Sequence, residues 1–302
     1  MSVEPRRYWT VGLMFAIAGV LCFSLRPILI KLAYEWANDP VTLLALRMAF
    51  AAPFFAGVAL WSGRNGNTTA LTRRDFVQVV ALGLLSYYAA SFLDFLALQY
   101  ITAGLGRLLL FLYPTIVVLL SAAFLKRPMT ARELVALVLT YVGLALVLLQ
   151  SVERGSQVWY GAALALASSV CYAVYLVAGA QVIARVGSVR FTAYAMVAAT
   201  LACLLQFALL RPLAALDVPL PVFGYAAVMA VVSTVVPVFL TSEALRRVGA
   251  NTVAIVGALG PVSTILLGWL GLEEVMTPVQ IAGVALVLAG VIAVTLRPGS
   301  RA

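Results

Sequence analysis

Ten long apolar segments follow one another along the chain, separated only by short polar joints. A helix needs about 20 apolar residues to cross the hydrocarbon core of a bilayer. In lipid every backbone N–H and C=O must be satisfied within the spanning structure, which a helix achieves by itself. The sequence therefore predicts an all-α integral membrane protein with ten transmembrane helices. The predicted spans are 9–34, 41–61, 76–99, 101–125, 131–150, 157–183, 189–210, 220–243, 248–272 and 276–296.

The composition is that of a membrane protein. Of the 302 residues, 64% are hydrophobic and 10% are charged, and the mean hydropathy is +1.07. A soluble domain is about half apolar and about a quarter charged. The net charge of +9 would favour a nucleic-acid partner in a soluble protein, but here it reflects basic residues kept on the cytoplasmic side, so we expect a lipid bilayer and no nucleic acid. The N-terminal apolar run is too continuous for a cleaved signal peptide and is interpreted as the first span.

The basic residues predict the orientation of the spans. When the joints are assigned alternately to two sides, 14 of the 20 lysines and arginines fall on the side that holds the N-terminus. The opposite side receives Arg154 and Arg211, together with acids such as Glu35, Asp39 and Glu274. Cytoplasmic joints carry the excess of Lys and Arg in membrane proteins. We therefore expect both termini in the cytoplasm.

The second half of the chain repeats the first. Residues 100–149 align without gaps on 247–296, an offset of 147, so that Pro114 falls on Pro261 and Gly143 on Gly290. Each half, about 1–150 and about 155–302, holds five predicted spans within a single transmembrane domain of 1–302. Because five is odd, the two halves would cross the membrane in opposite directions. Inverted repeats of this kind are typical of secondary transporters, whose binding site lies near the bilayer midplane between the halves.

Three stretches resemble a known family: "LLALRMAFAAP", "TAGLGRLLLFLYPTIVVLLSAAFLKRPMT" and "GANTVAIVGALGPVSTILLGWLGLEEVMT". The resemblance is to the drug/metabolite transporter superfamily, in its EamA-type exporter branch, and it covers essentially the whole chain. The family places a proline in the fourth and ninth helices and then a joint commonly written Gly-Glu; Glu274 keeps the acidic residue and Arg127 does not. The resemblance implies efflux of small metabolites across a bacterial inner membrane. Members include amino-acid exporters, an aromatic amino-acid exporter among them.

Four charged residues lie well away from the ends of the predicted spans: Arg26, Arg47, Asp94 and Arg107. The third and fourth spans are joined by a very short turn and must be antiparallel neighbours, so the sequence predicts an Asp94–Arg107 ion pair. Two interpretations remain open. The charges pair with one another and lock an outer gate, or Arg107 or Arg26 meets a substrate carboxylate in a water-filled cavity. With Glu243 at the inner end of the eighth span, these residues form the candidate gate or ion-pair set.

Helical spacing places further side chains on the face that carries Arg107. Aromatic residues at mid-membrane depth suit stacking on an amphipathic or aromatic solute, although aromatic residues also serve plain packing. The candidate substrate-cavity residues are Tyr87, Ser91, Arg107, Phe111, Pro114, Ser168, Tyr172, Tyr175, Ser233, Pro237 and Pro261.

The predicted function is that of a secondary transporter, working by alternating access at a central cavity. It would export small metabolites, preferentially amino acids with aromatic or other apolar side chains. Drugs, nucleosides or other metabolites are the alternative substrates. A membrane enzyme is disfavoured because the chain has no histidine and a single deep acid. The uncharged stretches "GLALVLL" of the fifth span and "GVALVLAGVIAV" of the tenth face either lipid or the partner in a homodimer.

The residues available for coupling and for cofactors are few. Without histidine, only Asp94 or Glu243 could carry a proton within the spans. Arginine neighbours favour the ionised form of Asp94, so we expect export driven by the substrate gradient. The three cysteines all lie in apolar spans without metal-ligand spacing. We expect no cofactor, no metal and no disulfide.

Overall fold

The computed structural model describes residues 3–64, 71–124, 130–152, 157–257 and 259–295. Within these ranges the chain is helical and contains no strand. The helices are α1 (Val3–Tyr34), α2 (Pro40–Arg64), α3 (Arg73–Ala97), α4 (Ala103–Leu110), α5 (Tyr113–Phe124), α6 (Ala131–Val152), α7 (Val158–Val186), α8 (Ser188–Leu210), α9 (220–257), α10 (Leu259–Leu272) and α11 (Pro278–Thr295). A short 3₁₀ turn, Leu213–Leu216, comes after α8.

The chain is a multi-pass membrane protein. In the described ranges, seven segments are long and apolar enough to cross a bilayer: Tyr8–Tyr34, Pro40–Ser62, Arg73–Ala97, Ala103–Leu120, Val158–Gly179, Ser188–Leu210 and Leu220–Thr241. Three shorter apolar helices, Glu133–Leu149, Leu259–Leu272 and Pro278–Ala293, occupy the places of the other three predicted spans. Most predicted boundaries agree with the helices to within a few residues.

One predicted boundary is wrong. The joint expected between 243 and 248 lies inside a continuous helical segment, Val236–Gly257, and the next helix begins only at Leu259. No proline or glycine interrupts residues 243–248. Glu243 and Arg247 form an ion pair at 2.6 Å with the i, i+4 spacing that stabilises a helix. The sequence here therefore continues the helix.

Two helices contain a turn of π-helix at equivalent positions. In α3 the π segment is Leu84–Ala90, and in α9 it is Val231–Val235. Leu84 and Val231 are 147 positions apart, the offset that relates the two halves of the sequence. In α9, the Met229 carbonyl accepts hydrogen bonds from the hydroxyls of Ser233 and Thr234, each at 2.9 Å. These two hydroxyls donate to a backbone carbonyl at the wider turn, where the regular α-helical hydrogen bonding is interrupted.

The helices pack as two related groups. One group holds α1, α2, α9 and α10; the other holds α3, α4, α5, α7 and α8, with α2 lying against α8 and α6 against α11. A Cβ added at Gly161 would lie 2.7 Å from Ile101 Cγ2, and one at Gly12 would lie 2.7 Å from Val248 Cγ1. Ile101 and Val248 are again 147 positions apart. The same close helix contact therefore occurs once in each group.

The joints opposite the chain termini meet on one side, here called the distal face. Gln99 Nε2 donates to Asn38 Oδ1 at 2.8 Å. Arg211 donates two hydrogen bonds to Asp39, of 2.8 and 3.0 Å, and so links the α1–α2 joint to the end of α8. Bidentate pairs of this kind are geometrically specific. The distal face is thus tied together by contacts between different helices.

Candidate functional site

The candidate site is built around a break between α4 and α5. Thr102 caps α4, its hydroxyl accepting the Leu105 N–H at 3.2 Å. The helix ends at Leu110 because Pro114 has no N–H to donate to the Leu110 carbonyl four residues earlier. Ser169 of α7 supplies the missing donor, at 3.1 Å. A side chain from a neighbouring helix thus stabilises the break, as is usual for irregular backbone at membrane depth.

An ion pair lies one layer toward the distal face. Arg26 of α1 donates to Asp94 of α3 at 3.1 Å, and the two side chains are only 14% and 5% exposed. The sequence predicted Arg107 as the partner of Asp94, and the structure corrects this: Asp94 pairs with Arg26. Helical spacing gives the depth of a residue but not which neighbouring helix it faces. The hydroxyl of Tyr34 donates to the Phe95 carbonyl at 2.7 Å and holds the same two helices together.

Arg107 has no acidic partner among the described residues. Its guanidinium lies against α10, where a Cβ added at Gly260 would be 3.1 Å from Nη2. Its Nε is buried without an acceptor in the described part of the chain. The hydroxyls of Tyr113 and Tyr172 are near enough to interact with it electrostatically, as are Arg26 and Asp94. Since Arg26 and Asp94 neutralise each other, Arg107 contributes an uncompensated positive charge.

Of the remaining gate candidates, Arg47 lies near Arg26 and Asp94 without an ion pair among the described residues, whereas Glu243 lies apart from this layer. Arg47 of α2 is 2% exposed and contacts the sulfur of Met48 at 3.5 Å. Its guanidinium also lies 5.1 Å from the ring centroid of Phe95, a cation–π contact. Glu243 pairs with Arg247 on its own helix, and Arg247 in turn lies over the ring of Tyr8 near the N-terminus. The four candidates therefore do not form one cluster.

Beside Arg107 lies a group of rings that we call the aromatic cluster. Its members are Tyr87, Phe111, Tyr113, Tyr172, Tyr175 and Phe191. Tyr172 and Tyr175 stack with centroids 5.7 Å apart, and Tyr113 meets Tyr172 edge-on at 5.0 Å. The hydroxyls of Tyr87 and Tyr175 are 3.2 Å apart. These six rings join α3, α5, α7 and α8 around one point.

Four cluster members were predicted, and Tyr113 and Phe191 were missed. Tyr113 falls off the stripe that carries Arg107 if the fourth span is drawn as one regular helix. The break at 111–112 changes the orientation of α5 relative to α4 and brings the Tyr113 ring against Tyr172. Pro114 was the available signal, because a proline interrupts helical periodicity.

The predicted polar lining is mostly engaged with backbone. The Ser168 hydroxyl donates to the Ala90 carbonyl at 2.7 Å, and Ser233 donates to Met229. Both side chains are buried, as are Pro237 after the π turn and Ser91. Pro261 is buried next to Gly260, against which Arg107 lies.

A second feature lies at the distal face. A cavity of about 420 Å³ opens between α4, α7, α10 and α11. It shares no residue with the predicted cavity set. Its lining residues include Gln99, Thr102, Gly104, Leu105, Ile265, Glu274 and Gln280. The carboxylate of Glu274 accepts the backbone N–H groups of Ala103 and Gly104, at 2.8 and 3.2 Å. The sequence analysis named Glu274 as an acid of the distal joints and of the family joint, and not as a candidate site residue.

Known proteins share this architecture. The EamA-like transporter family matches twice, over residues 10–149 and 159–296. The uncharacterized transporter YcbK of Bacillus subtilis is 32% identical, covering 90% of this chain and 88% of its own. The threonine/homoserine exporter RhtA of Escherichia coli K12 is 26% identical, covering 72% and 69%.

A solved structure described as "Crystal structure of protein" has the same fold. It superposes with a TM-score of 0.64 at 20% identity, and the match covers 97% of this chain and 99% of that one. The two family matches together span nearly the whole sequence, one in each half. The family resemblance based on the three quoted stretches is confirmed, and the chain belongs to the EamA-like transporter family.

Proposed function

We propose that this protein is a secondary transporter of ten membrane-crossing helices, arranged as two inverted five-helix repeats of about 1–150 and 155–302. Seven long spans, and three shorter apolar helices at the places of the other three predicted spans, support this count. The two family matches support the repeat, and the paired glycine contacts at Gly12 and Gly161 support a related packing of the halves. An odd number of crossings in each half makes the repeats inverted.

The protein resides in a bacterial inner membrane with both termini in the cytoplasm. The bias of lysines and arginines toward the side of the N-terminus supports this orientation. The distal face then lies outside the cell. Transport is export: a solute enters from the cytoplasmic side, reaches the region between α4, α7 and α10, and leaves at the distal face by alternating access.

The substrate is an amino acid, preferentially one with an aromatic or other apolar side chain. The observation that carries this proposal is Arg107, a cation without an acidic partner among the described residues, lying beside the aromatic cluster. A buried cation in a membrane needs a counter-charge or water. A substrate carboxylate would supply that charge, while Tyr113 and Tyr172 would offer ring faces to an apolar or aromatic side chain. The name of the relative RhtA supports the amino-acid class.

Export is driven by the substrate gradient. Asp94 is the one acid deep in the spans, and it is already bonded to Arg26. Releasing it to carry a proton would leave the Arg26 charge buried and unpaired, which is costly. Counterflow should therefore continue in the presence of a protonophore. Accumulation of substrate against its gradient that collapses with the protonophore would contradict this part of the proposal.

The test is counterflow of radiolabelled amino acids, aromatic ones and threonine included, into liposomes that hold the purified protein. Wild type should exchange at least one of them. Arg107→Ala should lose about 10-fold or more, because a hydrogen bond to a charged group contributes about 1.5–3 kcal/mol, and Arg107→Lys should lose less. Arg185→Ala is the control, since Arg185 is exposed and pairs with Asp75 far from the site.

Two outcomes would change the conclusion. Exchange that is unaffected by Arg107→Ala would assign Arg107 to packing and contradict the substrate site. Absence of exchange for every amino acid would refute the substrate class, and the same liposomes would then be tested with nucleosides and drugs.

A further inference from the structure

Glu274 joins two halves of the molecule through a helix end. It lies in the joint between α10 and α11, and its two carboxylate oxygens each accept one backbone N–H at the start of α4, from Ala103 and Gly104. The first N–H groups of a helix have no partner within the helix, and they carry a partial positive charge. Glu274, in the second half of the sequence, thus supplies hydrogen-bond acceptors for backbone N–H groups at the start of α4, in the first half.

The surrounding backbone is shaped for this contact. A Cβ added at Gly268 would lie 2.9 Å from Glu274 Oε2, so any other residue there would displace the carboxylate. Glu273 adopts the left-handed conformation, with φ 54°, which is uncommon for a residue with a side chain. This turn ends α10, and the Glu274 N–H donates back to the Gly268 carbonyl at 3.1 Å. The turn directs Glu274 toward α4.

The helix that Glu274 caps is a short independent segment. It has eight residues, Ala103–Leu110, and the break at 111–112 separates it from α5. Arg107 lies one turn inside the capped end. A displacement of the α4 N-terminus from α10 would therefore move the Arg107 guanidinium away from Gly260, because both contacts are made by the same eight residues.

Other contacts between helix groups also lie toward the distal face. Arg26 of α1 bonds Asp94 of α3, and Asn38 accepts from Gln99. At the opposite side, the Asp75–Arg185 pair joins α3 and α7, which belong to one group. At the distal side, the described contacts therefore cross between the two helix groups.

We propose that Glu274 is a positioning residue of the distal gate. It holds α4, and with it Arg107, against α10 while the distal side is closed, and it leaves the α4 N-terminus when that side opens. The proposal rests on the alternating-access transport proposed above, but its geometry is tested without a substrate.

The test measures how fast a maleimide labels a cysteine in the distal cavity. The three native cysteines are first replaced by alanine, and Leu105→Cys, a buried position of α4 that lines this cavity, serves as the reporter. In purified protein, Glu274→Gln should raise the labelling rate about 10-fold or more, since a charge-assisted cap is lost. Glu35→Gln is the matched control, because this acid also lies in a distal joint and is exposed, and it should leave the rate unchanged.

A second reporter separates opening of the gate from general loosening. Ala199→Cys lies in the buried core of α8, and its labelling should not change with Glu274→Gln. Equal labelling of Leu105→Cys in the Glu274→Gln and Glu35→Gln proteins would overturn the proposal, as would a parallel rise at both reporters. If Glu274→Gln does not fold, Gly268→Ala should displace the carboxylate and give the same result. Failure of amino-acid counterflow would refute the substrate class and leave this readout intact.

Discussion

Neutralising Asp94 should destabilise the protein through the arginine it leaves behind. Asp94→Asn keeps the size of the side chain and removes the charge that faces Arg26. At 3.1 Å and an effective dielectric constant of about 20, the attraction in this pair is about 5 kcal/mol before desolvation is subtracted. Removing one partner of a buried pair typically costs about 3–5 kcal/mol, because the other charge stays buried. We expect a loss near the lower end, about 3 kcal/mol, since the Arg26 side chain is still 14% exposed.

The assay is unfolding by SDS titration in mixed micelles, applied to a double-mutant cycle. Arg26→Gln should cost about as much as Asp94→Asn, because it leaves the acid unpaired. The double variant replaces the charges by two amides that can bond each other, and it should fall within about 1.5 kcal/mol of wild type. Asp75→Asn is the control, because its ion pair with Arg185 is exposed to solvent. The free energy of unfolding of this variant should hardly differ from that of wild type.

Two results would refute this reasoning. A loss below about 1 kcal/mol for Asp94→Asn would show that the pair is well solvated in the folded protein. Additivity of the two single losses within about 0.5 kcal/mol would show that the residues act independently.

Three further predictions use the same unfolding assay. Ser169→Ala should cost about 1 kcal/mol, because the Leu110 carbonyl loses its donor. Gly143→Val should cost about 1–3 kcal/mol or more by overpacking, since a Cβ there would lie 2.5 Å from the Gly283 carbonyl oxygen. Partial burial of Asp39 favours its neutral form, but hydrogen bonds from arginine and threonine neighbours outweigh this and hold its pKa below the ordinary value. Its stabilising effect is therefore present at neutral pH and is lost as the pH falls through the lowered pKa, so Asp39→Asn should flatten the acid limb of a stability–pH profile.

The fold was largely readable from the sequence because hydrocarbon thickness fixes the length of an apolar helix. The error at 243–248 arose where basic residues indicated a joint but Glu243 and Arg247 stabilise a helix instead. Charge bias assigns a side of the membrane and does not by itself end a helix. A helix ends only where the residues between two apolar segments break the helical hydrogen-bond pattern.

The candidate site was only partly readable. Periodicity gave the depth of Asp94 and Arg107, but the partner of each depends on how α1 and α10 pack, which no local pattern encodes. Tyr113 was missed because the break beside Pro114 reorients the helix. Glu274 acts 170 residues away from Gly104, and its contact with backbone leaves no complementary side chain to find in the sequence.

The two π turns carry information about the history of the chain. A π turn contains one more residue than the α turn it replaces, so a helix acquires it through a single insertion. The segments beginning at Leu84 and Val231 hold the same position in both halves. One insertion inherited by both copies explains this coincidence with fewer events than two separate insertions. Duplication of a half-length chain that already carried the widened turn would place it at both positions.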